Sequence, residues 1–290
     1  MTIALDYGAP TDKCAITVRY GAARGVFEDE GIDLTVRVVY GGPEIAAAYG
    51  AGSLKIGEFG APPCLAAIGR GLPIKIIGSG IRRNLVSWLV ARPGIRTWSD
   101  LKGGTVGVLS RGSCGEWFVR ALAEHHGLDG ARDISFVGLG ERYPEQAEIV
   151  AAGEVDAVTA VEPAATEAEL LGANVVAPLF DHPALPRVQW CVRVANSEFL
   201  AAEPGLVAAV GRGYLRAAQL AGEEWDDFLA FATQALDVTP AVAARAYARE
   251  WPHLDFSGEV DQTGLEAVRK MQQHVDPNFG LGDIGRAFAA

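Results

Sequence analysis

The chain has 290 residues, 49% of them apolar and 21% charged, which is typical of a folded globular protein. Its 25 basic and 36 acidic residues give a net charge of −11, which argues against nucleic acid or an anionic membrane as the partner. No apolar run approaches the roughly 18 residues of a membrane span, so the sequence predicts none.

Short strand patterns alternate with helix patterns from the N-terminus onward. Strands are expected over "TIALDYG", "IDLTVRVVY", "LKIGEFG", "LPIKIIGSG" and "LVSWLVAR". Helices are expected over residues 11–31, over "GGPEIAAAYGAG" and over "APPCLAAIGRG". Pro62 and Pro63 suit the first turn of the third helix, where a missing N–H costs little.

A second series of the same kind follows "RPGIRTWSDLKGG". Its strand patterns are "TVGVLS", "DISFVGLG", "VDAVTA", "NVVAPLF" and "RVQWCVRVAN", and its helix patterns are "SCGEWFVRALAEHHG", "PEQAEIVAAGE" and "EPAATEAELLGA". From Ser197 onward the pattern is almost wholly helical. This alternation predicts an α/β fold with mainly parallel sheets.

The chain crosses between the two series twice, each time through a single predicted strand, near residues 87–92 and near residues 189–195. These crossings predict two lobes with a double crossover and a helical C-terminal region. The first lobe comprises residues 1–90 and 195–290, and the second, inserted lobe comprises residues 91–194. A ligand is expected between the lobes, at strand C-termini and helix N-termini.

The segment "GVFEDEGIDLTVRVVYGGPEIAAAYGAGSLKIGEFGAPPCLAAIGRGLPIKIIG" resembles the first lobe of substrate-binding proteins of ABC importers for nitrate, sulfonates and taurine. Thiamine-pyrimidine-precursor proteins belong to the same superfamily. "WSDLKGGTVGV", "AAGEVDAVTAVEPAA" and "VANSEFLAAEPGLVAAVGRGYLRAA" extend the resemblance over nearly the whole chain. The resemblance implies a periplasmic-binding-protein type II clamshell and, if the protein is exported, an ABC permease as partner.

The same superfamily contains cytoplasmic enzymes, from which this chain departs. In the aromatic sulfinate desulfinase a nucleophilic cysteine closely follows the first strand, whereas Cys14 lies several residues later in "YGAPTDKC". The thiamine pyrimidine synthase has a cysteine-rich run near the second crossover, where "PRVQWCVRVAN" has a single cysteine. Neither activity transfers residue by residue.

The stretch "SRGSCGEWF" lies between a strand and a helix of the second lobe. Its N–H groups and the helix N-terminus favour an anionic group, so Ser110, Gly112, Ser113 and Cys114 are candidate ligand contacts. The alternative is that Ser113 only caps the helix, because Ser113 and Glu116 have capping-box spacing.

The same stretch raises the possibility of a nucleophile. Cys114 would stand at the first helical position, where the helix dipole lowers the pKa of a thiol. No histidine is near it in sequence to act as a base. Cys114 is therefore either a nucleophile or a small polar lining residue.

In the first lobe, the loops after the first and third strands carry further candidates. Tyr7, Asp12, Glu58 and Phe59 are expected to line the cleft, and Glu58 would suit a ligand with an amine or amidine. The alternatives are that Asp12 caps the first helix and that Phe59 fills core. Arg82, near the first crossover, would clamp an anion, or it serves structure or solvent.

In the second lobe, Glu162 follows the strand "VDAVTAV" at the expected cleft edge. Gln189 and Trp190 lie on the second crossover, where only one of two successive side chains should face the ligand. Trp190 would be an aromatic platform, or it packs in the hinge.

Two functions follow. The first is a small-molecule-binding protein of the solute-binding type, closing on a sulfonate, nitrate, pyrimidine or aromatic acid. The alternative is a cytoplasmic desulfinase, decarboxylase, hydrolase or lyase, with Cys114 or Cys14 as nucleophile and Glu58 or Glu162 as acid or base.

No cofactor and no metal site are expected, since the sequence has no nucleotide-binding motif and no metal-ligand spacing. The N-terminus lacks signal-peptide features, so a cytoplasmic protein is expected if Met1 is the native start.

Overall fold

The computed structural model describes residues 2–81, 86–182, 187–275 and 279–288. The first of its two sheets has the strand order β2-β1-β3-β10-β4. Its strands are β1 (Ile3–Ala9), β2 (Ile32–Val38), β3 (Ile56–Gly60), β4 (Ile74–Ser79) and β10 (Cys191–Asn196). The second sheet has the order β7-β6-β8-β5-β9. Its strands are β5 (Trp88–Ala91), β6 (Thr105–Val108), β7 (Ser135–Gly138), β8 (Ala157–Ala160) and β9 (Asn174–Pro178).

Each sheet is parallel except at one strand. β1 pairs in parallel with β2 and β3, and β6 with β7 and β8. The antiparallel strands are β10, between β3 and β4, and β5, between β8 and β9. These are the two strands by which the chain arrives from the other sheet. The α/β architecture with a double crossover is therefore confirmed.

The strand pairing moves the boundaries expected between the two halves. Residues 88–90 were expected in the first lobe, yet Trp88–Ala91 is hydrogen-bonded within the second sheet. Residues 191–194 were expected in the second lobe, yet they pair with β3 and β4 in the first sheet. The reason is that each crossing strand belongs to the sheet it enters.

Helices follow the parallel strands and cover the sheets. They are α1 (Asp12–Ala23), α2 (Gly42–Gly50), α3 (Ala61–Gly69), α4 (Cys114–His125), α5 (Gln146–Ala151) and α6 (Ala164–Leu170). The C-terminal region adds α7 (Ser197–Ala202), α8 (Pro204–Glu223), α9 (Trp225–Ala235), α10 (Pro240–Glu250) and α11 (Gln262–Val275). None of the helices in the described ranges is both long and apolar enough to cross a membrane.

The first helix differs from its expected length and cap. The side chain of Thr11, not Asp12, caps α1, because its hydroxyl accepts the N–H of Cys14 at 3.0 Å. The helix ends at Ala23 instead of continuing to residue 31. Gly25, at φ +77°, takes a left-handed conformation that glycine adopts readily, and the chain then turns toward β2.

Hydrogen bonds join the two crossover segments to each other. The Gln189 amide donates to Ser79 Oγ at 2.9 Å and to the carbonyl of Cys191 at 2.6 Å. The N–H of Gly80 also donates to that carbonyl, at 3.0 Å. These contacts hold the two crossover segments side by side.

Candidate functional site

A cavity of about 60 Å³ lies between the two sheets. Its walls are loops at the carboxyl ends of strands, the first turns of α1, α3 and α4, and both crossover segments. The lining residues are Pro10, Thr11, Cys14, Gly42, Phe59, Gly60, Pro63, Ser87, Leu109, Ser113, Cys114, Gly115, Tyr143, Thr159, Val161, Trp190 and Cys191. Because one water needs about 10–15 Å³, the cavity has room for a group of a few heavy atoms.

Two serine hydroxyls in this lining have no hydrogen-bond partner among the residues that the structure describes. Ser113 Oγ and Ser87 Oγ are both fully shielded, and the residues are 5% and 2% exposed. Ser113 stands directly before α4, yet its side chain makes no capping hydrogen bond. A buried hydroxyl without a partner is costly, so both groups suit a ligand that supplies one.

Glu116 explains why Ser113 does not form the capping box. Its carboxylate accepts the Gly112 N–H at 2.9 Å, Arg111 Nε at 2.8 Å and Arg120 Nη2 at 2.7 Å. Burial alone would raise the pKa of Glu116, but these donors hold it below its usual range. The capping interpretation of Ser113 is therefore wrong, and Gly112 supports the turn without lining the cavity.

Cys114 is the first residue of α4 and lines the cavity. The helix dipole was expected to lower the pKa of its thiol. Instead, burial raises the pKa of Cys114 to about 12, although the Trp190 indole N–H donates to the sulfur and opposes the shift. Desolvation outweighs the dipole because the thiol is enclosed.

The other cysteines surround Cys114. Cys14 and Cys191 also line the cavity. Cys64 does not line it, and burial raises the pKa of its thiol. All four cysteines are buried, and none of them forms a disulfide. In the ranges that the structure describes, no three His, Cys, Asp or Glu side chains are grouped so that they could hold a metal ion.

Phe59 and Glu58 illustrate how strand alternation divides the predicted residues. Phe59 lines the cavity and stacks on Tyr49 at 6.0 Å between ring centroids. Neighbouring strand residues point to opposite faces, so Glu58 lies on the other face of β3, where the Tyr214 hydroxyl donates to it. Tyr7 is 1% exposed, and burial and Glu58 raise its pKa. Tyr7 and Glu58 are therefore core residues beside the cavity and not part of its lining.

Asp12 and Glu162 line a second pocket instead. Asp12 accepts from Arg19 Nη1 at 3.0 Å and from the Tyr40 hydroxyl. Glu162 is fully buried, with Arg249 at 3.2 Å, and burial raises its pKa despite nearby cations.

The remaining predicted residues have different positions. Trp190 lines the cavity, whereas Gln189 points to the opposite side, toward Ser79. Ser110 Oγ accepts the Gly42 N–H at 3.3 Å and joins the two halves without lining the cavity. Arg82 lies outside the described residues.

Several lining residues were not predicted. Ser87 lies at the end of the first crossover, and Tyr143 reaches the cavity from the segment after β7, where its hydroxyl donates to the Thr159 carbonyl at 3.0 Å. Thr159 and Cys191 were not predicted either, nor were Pro10, Gly42, Leu109 and Val161. No motif marks these positions, and only the alternation of the strands could have indicated Thr159.

The comparisons with known proteins agree with this architecture. The sequence model of the family described as NMT1/THI5 like matches residues 15–226. Among curated proteins, no sequence matches significantly.

Many solved structures match the chain, and three of them serve as examples of similarity over nearly the whole length. A Bordetella bronchiseptica RB50 protein has a TM-score of 0.86 and 19% identity, covering 99% of this chain and 94% of its own. The alkanesulfonate-binding protein SsuA of Xanthomonas axonopodis pv. citri, bound to MOPS, has a TM-score of 0.76 and 20% identity, covering 100% and 94%. A mutant of the desulfurization enzyme DszB, in complex with biphenyl-2-sulfinic acid, has a TM-score of 0.68 and 19% identity, covering 99% and 96%. At these identities the likeness shows the fold, which is that of periplasmic binding proteins.

Proposed function

Because the chain belongs to the NMT1/THI5-like family, we propose that it is a small-molecule-binding protein that encloses its ligand between the two sheets. The observation that carries the proposal is the pair of unpartnered hydroxyls, Ser87 and Ser113, in one cavity. Ser113 belongs to the turn before α4, and Ser87 comes from the crossover. A ligand held by both would therefore join separate parts of the fold.

The chemistry of the lining suggests the class of ligand. The first-turn N–H groups of α4, which no side chain caps, and the two hydroxyls suit hydrogen-bond acceptors such as sulfonate, carboxylate or ring nitrogen. Phe59 and Trp190 supply flat apolar surface. A small acceptor-bearing molecule, anionic or heteroaromatic, fits both features.

A cysteine-dependent enzyme is the second candidate, and the likeness to DszB favours it. Cys114 lines the cavity beside Cys14, so a nucleophile would be in reach of a ligand. However, a thiol with a pKa of about 12 is almost wholly protonated at neutral pH and attacks poorly. Binding without turnover is therefore the function we favour.

The proposal extends to where the protein works. If it acts in import, we propose an ABC permease as its partner, as the solute-binding fold suggests. If it acts in the cytoplasm, the protein binds its ligand without delivering it to a permease. Fractionation of cells that express the natural gene, with detection by antibody, separates the two.

A thermal-shift and calorimetric screen tests the binding function. Sulfonates, sulfinates, pyrimidines, aromatic acids and nitrate are each mixed with the protein, and mass spectrometry follows each compound. We expect a compound that raises the melting temperature and is recovered unchanged. Ser113→Ala should weaken its binding about threefold to tenfold, the value of one hydrogen bond.

The control is Ser257→Ala, which removes a hydroxyl on the exposed surface and should leave binding unchanged. Conversion of a compound that stops in Cys114→Ala would make the protein an enzyme and contradict the proposal.

A further inference from the structure

The second pocket, of about 310 Å³, adjoins the cavity, since Thr11 and Val161 line both. Glu162 lines the second pocket, is fully buried and directly follows Val161 in the chain. Lys13 lines the same pocket from α1 and directly precedes Cys14, which lines the cavity. Charged side chains of both halves of the protein therefore meet one residue away from the cavity lining.

Helices α10 and α6 belong to different hydrophobic cores. α10 packs into a cluster with α1, α8 and α9, in which Tyr20 and Tyr247 are buried, and so belongs to the half that contains the first sheet. α6 packs into a cluster with strands of the second sheet, in which Val158 and Ala165 are buried. A movement of one half away from the other would therefore separate α10 from α6.

The contact between α10 and α6 includes charged side chains of both signs. Arg249 Nη1 lies 3.2 Å from Glu162 Oε1 and 2.6 Å from Glu169 Oε2. Arg245, one turn earlier in α10, lies 3.1 Å from the same Glu169 carboxylate. The Arg249 guanidinium also lies over the ring of Trp88 in β5, 4.2 Å from its centroid. Two arginines of the first half thus bind two glutamates of the second.

These ion pairs suit a contact that can both close and release. The Glu162 side chain is fully buried, and those of Arg249 and Glu169 are about a quarter exposed. Removing the arginine while Glu162 stays buried is costly, whereas separation of the two halves would let water solvate both charges. Polar contacts between parts of a chain permit relative motion more readily than large apolar contacts do.

We propose that these side chains form a latch, in which Arg249 pairs with Glu162 and Glu169, and Arg245 pairs with Glu169, so that the two halves stay closed over the cavity. The latch limits how often the cavity opens, and therefore how fast a molecule enters or leaves it. This inference rests on the proposed binding function, because it makes the ligand cavity the place that closes. Its test needs no ligand, so the two proposals can fail separately.

Alkylation by iodoacetamide, followed by peptide mass spectrometry, measures opening of the ligand-free protein. Cys14 and Cys114 line the cavity and should react when it opens, whereas Cys64 is buried outside the lining. We expect Arg249→Met to raise the alkylation rate of both cavity cysteines about 10- to 100-fold and to leave that of Cys64 unchanged. The factor is smaller than the full cost of an unpaired buried charge, because Lys13 continues to offset the neighbouring carboxylate.

Three further variants test whether the ion pairs are the cause. In a Glu162→Gln background no buried charge is left unpaired, so Arg249→Met should raise alkylation less than about threefold. Glu169→Gln, at the more exposed end of the latch, should raise it about two- to fivefold. The control is Arg212→Met, which breaks an ion pair with Glu30 that lies within the first half, at 2.6 Å, and should change nothing. Circular dichroism melting of each variant verifies that it is folded.

The outcomes separate the two proposals. Equal alkylation of Cys114 in the wild type and in Arg249→Met refutes the latch and leaves the binding function standing. An equal rise at Cys64 would mean that Arg249 stabilises the fold as a whole, and the latch would again be wrong. An undiminished rise in the Glu162→Gln background would mean that Arg249 acts through its packing on Trp88 and not through ion pairs. If the cavity cysteines respond as expected but no screened compound binds, the closing contact stands and the binding function fails.

Discussion

Gly60 and Cys114 meet across the cavity, and this contact offers a test of whether the two sheets close on a ligand. A Cβ atom added at Gly60 would lie 2.7 Å from Cys114 Sγ. The backbone of Gly60, at φ −65° and ψ 133°, is one that alanine adopts without strain. Gly60→Ala should therefore disturb only the arrangement in which the two halves are close together.

The size of the effect follows from the overlap. Overpacking by one methyl group in a filled interior costs about 1–3 kcal/mol. Cys114 cannot turn away freely, because its sulfur accepts the Trp190 indole N–H and is buried. The ratio of closed to open protein should therefore fall roughly 5- to 150-fold, and ligand affinity should fall by up to that factor.

Calorimetry with a compound that binds the wild type measures the loss, and small-angle scattering measures any opening. Gly205→Ala is the matched control, since a Cβ there meets nothing within 4 Å. In a Cys114→Ala background the overlap is gone, so Gly60→Ala should then cost little. Wild-type affinity in Gly60→Ala, or an undiminished loss in the double variant, would refute closure through this contact.

Two further predictions concern the turn before α4. Because the pKa of Cys114 is raised to about 12, iodoacetamide should alkylate it more than about a thousandfold more slowly at pH 7.5 than in the guanidinium-unfolded chain, as measured by peptide mass spectrometry. Fast alkylation of the folded protein would contradict the raised pKa and would support Cys114 as a nucleophile. Glu116→Gln should lower the free energy of unfolding by about 2 kcal/mol at pH 7, measured with urea. The pKa of Glu116 is lowered by folding, so its contribution is present above the unfolded pKa of about 4.3 and is lost in acid. A difference from wild type that stays constant down to pH 3 would argue against this network.

The order of the elements was predictable because strand alternation, helix periodicity and the Gly or Pro residues of the turns mark each element. The two crossover strands could be recognised because they interrupt the alternation with helices. The ends of the helices and strands were harder to predict from the sequence. The first helix stops at Ala23 because Gly25 turns the chain, whereas the apolar pattern alone suggested continuation to residue 31.

The cavity lining was predictable only in part, since it depends on tertiary contacts. Ser113, Cys114, Phe59 and Trp190 lie where a strand–helix junction or a crossover should bring them. Ser87 does not belong to a motif, and its relevance rests on burial without a partner, which no sequence pattern reveals.

The predictions that Ser113 caps α4 and that the pKa of Cys114 is lowered were wrong for the same physical reason. In each case a tertiary effect outweighed a local one. Arg111 and Arg120 bind the Glu116 carboxylate that the capping box needs, and burial outweighs the helix dipole at the thiol. Local helix rules describe an exposed helix end, and this one is enclosed.

The distribution of charge around the site constrains the ligand more than its shape does. In the described chain, the residues that line the cavity include no Asp, Glu, Lys, Arg or His. A fully charged head would therefore be held only by hydroxyls and helix N–H groups, and burying an ion without a counter-ion is costly. The charged side chains are instead in the adjoining second pocket. A neutral heterocycle should consequently bind more tightly than a simple anion of the same size.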